Sequence, residues 1–166
     1  MRSNELLEAA RAGELERVKA LVEQDTSIDK DNALRWAARE GRLDVVRFLV
    51  EHGAVIDATD YLGDTALMRA AEGGHTKIVR FLTEGCKLDV NTSNMNGITA
   101  LMRAATNGQV EVVRYLAGQR GVQMGANDKY GYTALMKARE RYGRVRSHNT
   151  DDSVGKRQPR GCTLPR

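Results

Sequence analysis

Apolar residues recur in short helical stripes along the chain, and the same stripe returns at a nearly constant interval. Residues 65–71 read Thr-Ala-Leu-Met-Arg-Ala-Ala, a segment repeated at 99–105 and, more weakly, at 133–139. Earlier copies begin at Asn32 and Asn4, so the offsets between copies are 28, 33, 34 and 34 residues. The leucine and the paired alanines fall at i, i+3 and i+4, which predicts one buried face of a short helix in every copy.

Residues typical of helix ends flank these stripes. A side chain that can accept a hydrogen bond from the first helical turn leads each copy, and we expect these residues to be N-caps: Asn4, Asn32, Thr65, Thr99 and Thr133. A glycine that can adopt a left-handed conformation just past the helix follows four copies: Gly13, Gly41, Gly74 and Gly108. The pattern therefore predicts a first helix that begins and ends at defined positions.

A second apolar stripe and a turn complete the unit. Wider stripes follow the glycine at residues 43–49, 78–82 and 110–116. Polar stretches then end in turns that start with Asp or Asn and finish with Gly, at 60–63, 94–97 and 128–131. The repeating unit is thus two short antiparallel helices and a projecting turn.

This unit resembles the ankyrin repeat over roughly residues 4–140. The resemblance implies an all-α helical solenoid with four full helix pairs plus a partial fifth repeat. The expected repeats lie near 4–31, 32–64, 65–98, 99–132 and 133–146. One departure is that Thr-Ala-Leu-Met replaces the family's Thr-Pro-Leu-His. Because Met68, Met102 and Met136 cannot play the histidine's role of bonding between loops, we expect weaker loop-to-loop order.

The two ends differ from the middle. The junction at residues 26–31 has no Asp-x-x-Gly turn, so it should lack a full finger, and the polar first repeat suits a cap. No second apolar stripe follows Gly143, which predicts a repeat domain over 1–146 and a flexible basic tail over 147–166.

The charge distribution bears on the class of partner. The net charge is +4, yet residues 141–166 alone contain seven of the basic residues and only two of the acidic ones. The main domain is therefore close to neutral, which argues against nucleic acid as its partner.

Motifs for catalysis and cofactor binding are weak. The chain has no glycine-rich phosphate loop, and its three histidines show no ligand spacing, so we expect no cofactor, no metal and no enzyme. Cys86 and His52 occupy similar positions in neighbouring repeats and could form a nucleophile–base pair, although a structural role is favoured.

The compartment is inferred from three further features. The polar N-terminus, the lack of an apolar run of about 20 residues and the two distant cysteines, Cys86 and Cys162, predict a cytoplasmic protein without a membrane segment.

Candidate binding residues are those at positions where the chain's own repeats differ. The resemblance implies that the turns and first helices line a concave binding face. The candidates are Trp36, Tyr61, Leu62, Asp64, Arg69, Glu72, Met95, Ile98, Arg103, Lys129, Tyr130 and Tyr132. Trp36 could instead fill the core beside the shortened junction. Substitutions of Tyr61, Arg69, Arg103 and Tyr130 are expected to weaken binding with little effect on stability.

Together these features favour a non-catalytic module, a scaffold, adaptor or inhibitor, that binds another protein. The alternative is a regulatory module whose basic C-terminal tail contacts nucleic acid or an anionic surface. We expect a monomer. Since Leu135 and Met136 lack a second-helix partner, a dimer formed through the C-terminal end is the alternative.

Overall fold

The computed structural model describes residues 2–148, with side chains described as far as Arg141. The helices are α1 (Arg2–Ala12), α2 (Leu15–Gln24), α3 (Lys30–Arg39), α4 (Leu43–Glu51), α5 (Ala66–Gly73), α6 (Thr76–Arg80), α7 (Ala100–Asn107), α8 (Val110–Ala117) and α9 (Ala134–His148). A π-helical turn over Phe81–Gly85 continues α6.

The helices stack in pairs, which confirms the predicted all-α solenoid with four helix pairs and the first helix of a fifth. The first helices α1, α3, α5, α7 and α9 pack on one another in order, and α2, α4, α6 and α8 form the second layer. Successive first helices pack closely because the positions that face each other are occupied by small paired alanines. In the two central repeats these are Ala70, Ala71, Ala104 and Ala105, and each is at most 3% exposed.

The predicted N-caps are right for the regular repeats and wrong for the first two. The hydroxyls of Thr65, Thr99 and Thr133 each accept a hydrogen bond from the backbone N–H three residues on, at 3.3 Å. In the second repeat Asp29, not Asn32, is the cap, and it accepts from the N–H groups of residues 31 and 32. Asn4 lies inside α1, which already begins at residue 2.

Polar side chains of each repeat tie it to the first helix of the repeat before. In each case a side-chain nitrogen donates to a backbone carbonyl oxygen. The pairs are Arg42 to Arg11 at 3.0 Å, His75 to Arg39 at 2.8 Å, Gln109 to Glu72 at 3.1 Å and Arg141 to Thr106 at 3.2 Å. These carbonyls lie at helix C-termini, where no intrahelical donor is present. Because the donors cross directly over the glycines, a Cβ at Gly41 (φ +78°) would lie 2.5 Å from Cε1 of His75.

The two ends depart from the regular repeat. At the junction, residues 26–28 form only a short turn, which confirms that the full finger is missing there. At the other end α9 continues through Gly143 to residue 148, two residues beyond the predicted boundary. The predicted flexible tail otherwise falls on 149–166, outside the described residues.

The outer face of α9 is uncovered where the equivalent faces of the other first helices are buried. Leu135 and Met136 are 78% and 50% exposed, whereas Leu101 and Met102, at the same positions one repeat earlier, are 3% and 1% exposed. The solenoid therefore ends on an apolar surface in the part of the chain that the structure describes.

Candidate functional site

Three projecting turns, which we call fingers, cover residues 60–64, 94–98 and 128–132. In each finger the Oδ1 atom of the first residue accepts from the backbone N–H groups two and four residues on, at 2.9 to 3.0 Å. The first residue's own N–H donates to the carbonyl four residues on. Asp60, Asn94 and Asp128 thus close each finger from within, because a short side-chain acceptor satisfies N–H groups that a tight turn leaves free.

Neighbouring fingers are bonded to each other through their backbones, and the expected weakening of loop-to-loop order stays a prediction. The N–H of Met95 donates to the Leu62 carbonyl at 3.1 Å, and that of Lys129 to the Asn96 carbonyl at 2.8 Å. These bonds run between backbone groups and do not need a histidine in the helix. The methionines that replace it in the middle repeats, Met68 and Met102, are buried in the core instead.

A basic side chain lies under each finger, nine residues after its first residue. Nη2 of Arg69 is 2.6 Å from Oδ2 of Asp60, and Nζ of Lys137 is 2.7 Å from Oδ2 of Asp128. The hydrogen bond from Lys137 lowers the pKa of Asp128 below its usual 3.8. At Asp60 burial acts to raise the pKa, but hydrogen bonds from Arg69 and from the finger N–H groups outweigh it, so the pKa is again lowered.

The middle finger begins with an amide, and this changes the pairing of Arg103. With no carboxylate at Asn94, Nη2 of Arg103 pairs with Oδ2 of Asp64 in the preceding finger. Nδ2 of Asn94 donates to Oδ1 of the same carboxylate at 2.6 Å, and Arg69 Nη2 is 3.2 Å from its Oδ2. Asp64, which is completely buried, thus supplies the carboxylate that pairs with Arg103. Asp60 and Asp128 do the same for the basic side chains of their own repeats.

The buried ion pairs correct several predicted contact residues. Asp64 cannot contact a partner, because its side chain has no exposed surface. Arg69 pairs with Asp60, Asp64 and Glu72, so charge reversal at Arg69 or Arg103 would set carboxylates against carboxylates. That contradicts the expectation of little effect on stability. The spacing of nine residues between the finger acid and the base was the sequence signal that could have indicated this.

Other candidates lie on the surface as the sequence predicts. Tyr61, Met95 and Tyr130 are 83%, 77% and 72% exposed. Lys129 lies with Nζ 5.0 Å from the Tyr130 ring centroid, and Tyr132 is 40% exposed. Two further candidates, Leu62 and Ile98, are half-buried, and Ile98 packs against the core. The fingers therefore present separated apolar tips on a hydrogen-bonded base.

Trp36 lies on α3, next to Arg11 of the first repeat. It is half-buried, and the guanidinium carbons of Arg11 and Arg39 are 4.6 and 5.0 Å from its ring centroid. Arg39 also reaches Glu72, with Nη2 3.4 Å from Oε1. Trp36 thus combines both sequence interpretations: part of the ring packs against the repeats, and part lines an open groove.

The cysteine and the histidine considered as a catalytic pair show no activation. Nδ1 of His52 is 2.8 Å from the Phe48 carbonyl oxygen, and its ring stacks on the Phe48 ring at 3.9 Å. Burial raises the pKa of the Cys86 thiol, whereas a nucleophilic cysteine needs a lowered one. Within residues 2–141 no group of three or more His, Cys, Asp or Glu side chains could hold a metal ion.

The finger carboxylates make stability depend on pH. Because Asp60 and Asp128 have a lower pKa in the folded protein than the usual 3.8, the stability they contribute is present above about pH 4 and is lost as the pH falls through the folded values. We expect Asp128→Asn to be less stable than the parent protein near pH 6 and to lose less stability between about pH 6 and pH 2.5. Urea unfolding at the two pH values measures this.

A matched control for this prediction is Glu111→Gln. Glu111 and Arg114 form a surface pair with both side chains more than 70% exposed, at 71% and 75%. Surface pairs of this kind contribute little, so the control should follow the parent protein at both pH values. An equal loss of stability in Asp128→Asn and the parent protein would contradict the role given to the finger carboxylates.

Two comparisons bear on the identity of the chain. The sequence model of the family described as ankyrin repeats (three copies) matches residues 6–94 and 84–146. No curated protein matches the chain. None of the helices over residues 2–148 has the length and apolar character needed to cross a membrane. The family match spans the helix pairs, the three fingers and α9 up to residue 146.

Proposed function

Because the chain belongs to the ankyrin-repeat family, we propose that it is a non-catalytic protein–protein interaction module, acting as a scaffold, adaptor or inhibitor. Ankyrin repeats are generally protein–protein interaction modules. The observation that carries the proposal is the row of exposed apolar tips, Tyr61, Met95 and Tyr130, on successive fingers. Tyrosine and methionine are enriched in protein interfaces, and separated tips of this kind suit contact with an extended protein surface.

The rigidity of the fingers supports the same proposal. Each finger is closed by its own Asp or Asn side chain and bonded to its neighbour through the backbone. A side chain presented on an ordered loop loses little conformational freedom when a partner binds, so more of its contact energy appears as affinity. The fingers are therefore suited to recognition without rearrangement.

The alternative partner class has less support. A nucleic-acid or anionic-surface function would depend on the basic residues of 141–166, most of which lie outside the described residues. The finger tips within the described residues are apolar or aromatic rather than a continuous basic stripe. The cytoplasmic location and the monomeric state are further parts of the proposal, with a dimer through Leu135 and Met136 as the alternative.

The double variant Tyr61→Ala/Tyr130→Ala tests the proposal. Since both rings are exposed, the free energy of unfolding should change by less than about 0.5 kcal/mol per site. Loss of two interface aromatics should weaken partner binding by about 2 kcal/mol or more. The measurements are urea unfolding and isothermal titration calorimetry with the protein partner isolated from the source cell.

Val110→Ala is the matched control, because Val110 is also an exposed apolar residue, at 50%, but lies on the second-helix layer in α8. It should leave partner binding unchanged. Full binding by the tyrosine variant would place the contact elsewhere and overturn the assignment of the fingers. A large loss of stability would show instead that the two rings are structural.

A further inference from the structure

A groove opens between α3 and the first finger, with a volume of about 640 Å³. Its lining includes Asp29, Arg35, Trp36, Asp60 and Tyr61. The groove lies beside the junction before α3, where residues 26–28 form a short turn and no finger. The first finger therefore has a neighbouring finger on one side only, and Asp29, the cap of α3, lines the groove.

The charges in the groove are unequally satisfied. Asp60 accepts from Arg69 and from two finger N–H groups, and Asp29 accepts from two N–H groups of α3. Arg35 is half-buried on α3, yet it makes no hydrogen bond or ion pair with any residue in the described part of the chain. The carboxylates are thus already engaged, while a guanidinium remains free to bind a ligand.

Two aromatic side chains line the same groove as the free guanidinium. Trp36 follows Arg35 directly, and the guanidiniums of Arg11 and Arg39 lie over its ring. Tyr61 rises at the rim of the groove with 83% of its surface exposed. A ligand that fits this arrangement carries negative charge for Arg35 and an adjacent apolar side chain for the rings.

We propose that this groove binds an acidic segment of a protein partner, with a carboxylate paired to Arg35 and a neighbouring apolar side chain packed on Tyr61 and Trp36. The proposal rests on the proposed function, since it names the kind of segment that the interaction module recognises. A guanidinium matches a carboxylate in a two-point, planar geometry. Arg39 and Arg69 of the groove lining are already paired with Glu72 and Asp60, so Arg35 offers one free guanidinium, which suits a single carboxylate of a peptide better than the repeated phosphates of a nucleic-acid backbone.

The test uses Trp36, the single tryptophan of the sequence, as a fluorescent reporter inside the groove. The probe is the tryptophan-free peptide acetyl-Glu-Glu-Leu-Phe-Glu-Glu-amide, titrated into the full chain at low salt. A saturable change in the Trp36 emission is expected, with a dissociation constant between roughly 10 µM and 1 mM, as for a weak isolated segment. The same peptide with lysine in place of glutamate should give no saturable change.

Arg35→Glu should weaken binding of the acidic peptide at least tenfold, and Arg35→Lys should weaken it less because the charge remains. The control is Arg114→Glu on α8, an arginine whose side chain is 75% exposed on the second-helix layer, and it should bind like the parent protein. Thermal melting followed by circular dichroism checks that each variant is folded. If Arg35→Glu does not fold, Arg35→Gln replaces it, with the same expected loss.

Three results would overturn the inference: no saturable change up to about 1 mM peptide, an equal response to the glutamate and lysine peptides, or an equal loss in Arg35→Glu and Arg114→Glu. Tighter binding of a single-stranded oligonucleotide than of the acidic peptide would also overturn it in favour of a general polyanion site. The proposed function is tested separately: if the natural partner loses affinity for Tyr61→Ala/Tyr130→Ala but not for Arg35→Glu, the module binds protein and this groove is not the contact.

Discussion

Replacing Leu101 with alanine should lower the free energy of unfolding by about 2–5 kcal/mol, because the change leaves a cavity in the core. Leu101 is 3% exposed and belongs to the continuous core cluster that joins the repeats. The surrounding helices are held on both sides by neighbouring repeats, so they have little freedom to close the cavity. The measurement is urea unfolding followed by far-ultraviolet circular dichroism.

The chain supplies its own matched control for this prediction. Leu135 stands in the same Thr-Ala-Leu-Met segment one repeat later but is 78% exposed. Leu135→Ala should therefore change stability by less than about 0.5 kcal/mol, as expected for a surface site. Comparable losses in the two variants would mean that the face of α9 is covered in solution, which would support the dimer through the C-terminal end.

Neutralising the buried carboxylate of Asp64 should lower the free energy of unfolding by about 3 kcal/mol, since breaking a buried ion pair leaves its partner charge uncompensated. The carboxylate of Asp64 forms ion pairs with Arg103 and Arg69 and accepts a hydrogen bond from the amide of Asn94, and its side chain is fully buried. The clean variant is Asp64→Asn, which keeps the shape and removes the charge. Asn94→Asp should also be destabilising, because it sets a second carboxylate 2.6 Å from the first.

The exchange of the two residues tests the explanation directly. In the double variant Asp64→Asn/Asn94→Asp, a carboxylate at position 94 lies nine residues before Arg103. This is the spacing at which Asp60 pairs with Arg69 and Asp128 with Lys137. The double variant should recover most of the stability lost in either single variant, with a coupling energy of at least about 1 kcal/mol in a double-mutant cycle. Additive losses would show that Arg103 cannot pair within its own repeat.

The structural prediction from sequence was most successful where the deciding interactions are short in range. The threonine caps bond three residues away, and the finger side chains bond two and four residues away. Both partners of such a contact lie within a few residues of each other, so a short segment of sequence is enough to predict it. The prediction failed at Asn32, where the shortened junction let Asp29 begin the helix earlier.

The sequence distinguishes residues available to a partner from structural residues less well. Tyr61, Met95 and Tyr130 are exposed as expected, but Asp64 is buried and Arg69 and Arg103 are held in ion pairs. Variation between repeats predicts partner contact at these three positions. At these positions it reflects a compensating exchange, in which position 94 has an amide in place of the finger carboxylate and Asp64 supplies a carboxylate from the preceding finger.

The sequence by itself determined the repeat period, the helix pairs, the capping threonines and the closed fingers, because each depends on residues close together in the chain. Only the tertiary structure decided which charges meet, since Arg103 and Asp64 are 39 residues apart. It also decided that Leu101 is buried while Leu135, in the same Thr-Ala-Leu-Met segment, is exposed. The physical reason is that burial in a solenoid is conferred by the neighbouring repeat, and a residue's own segment does not contain that neighbour.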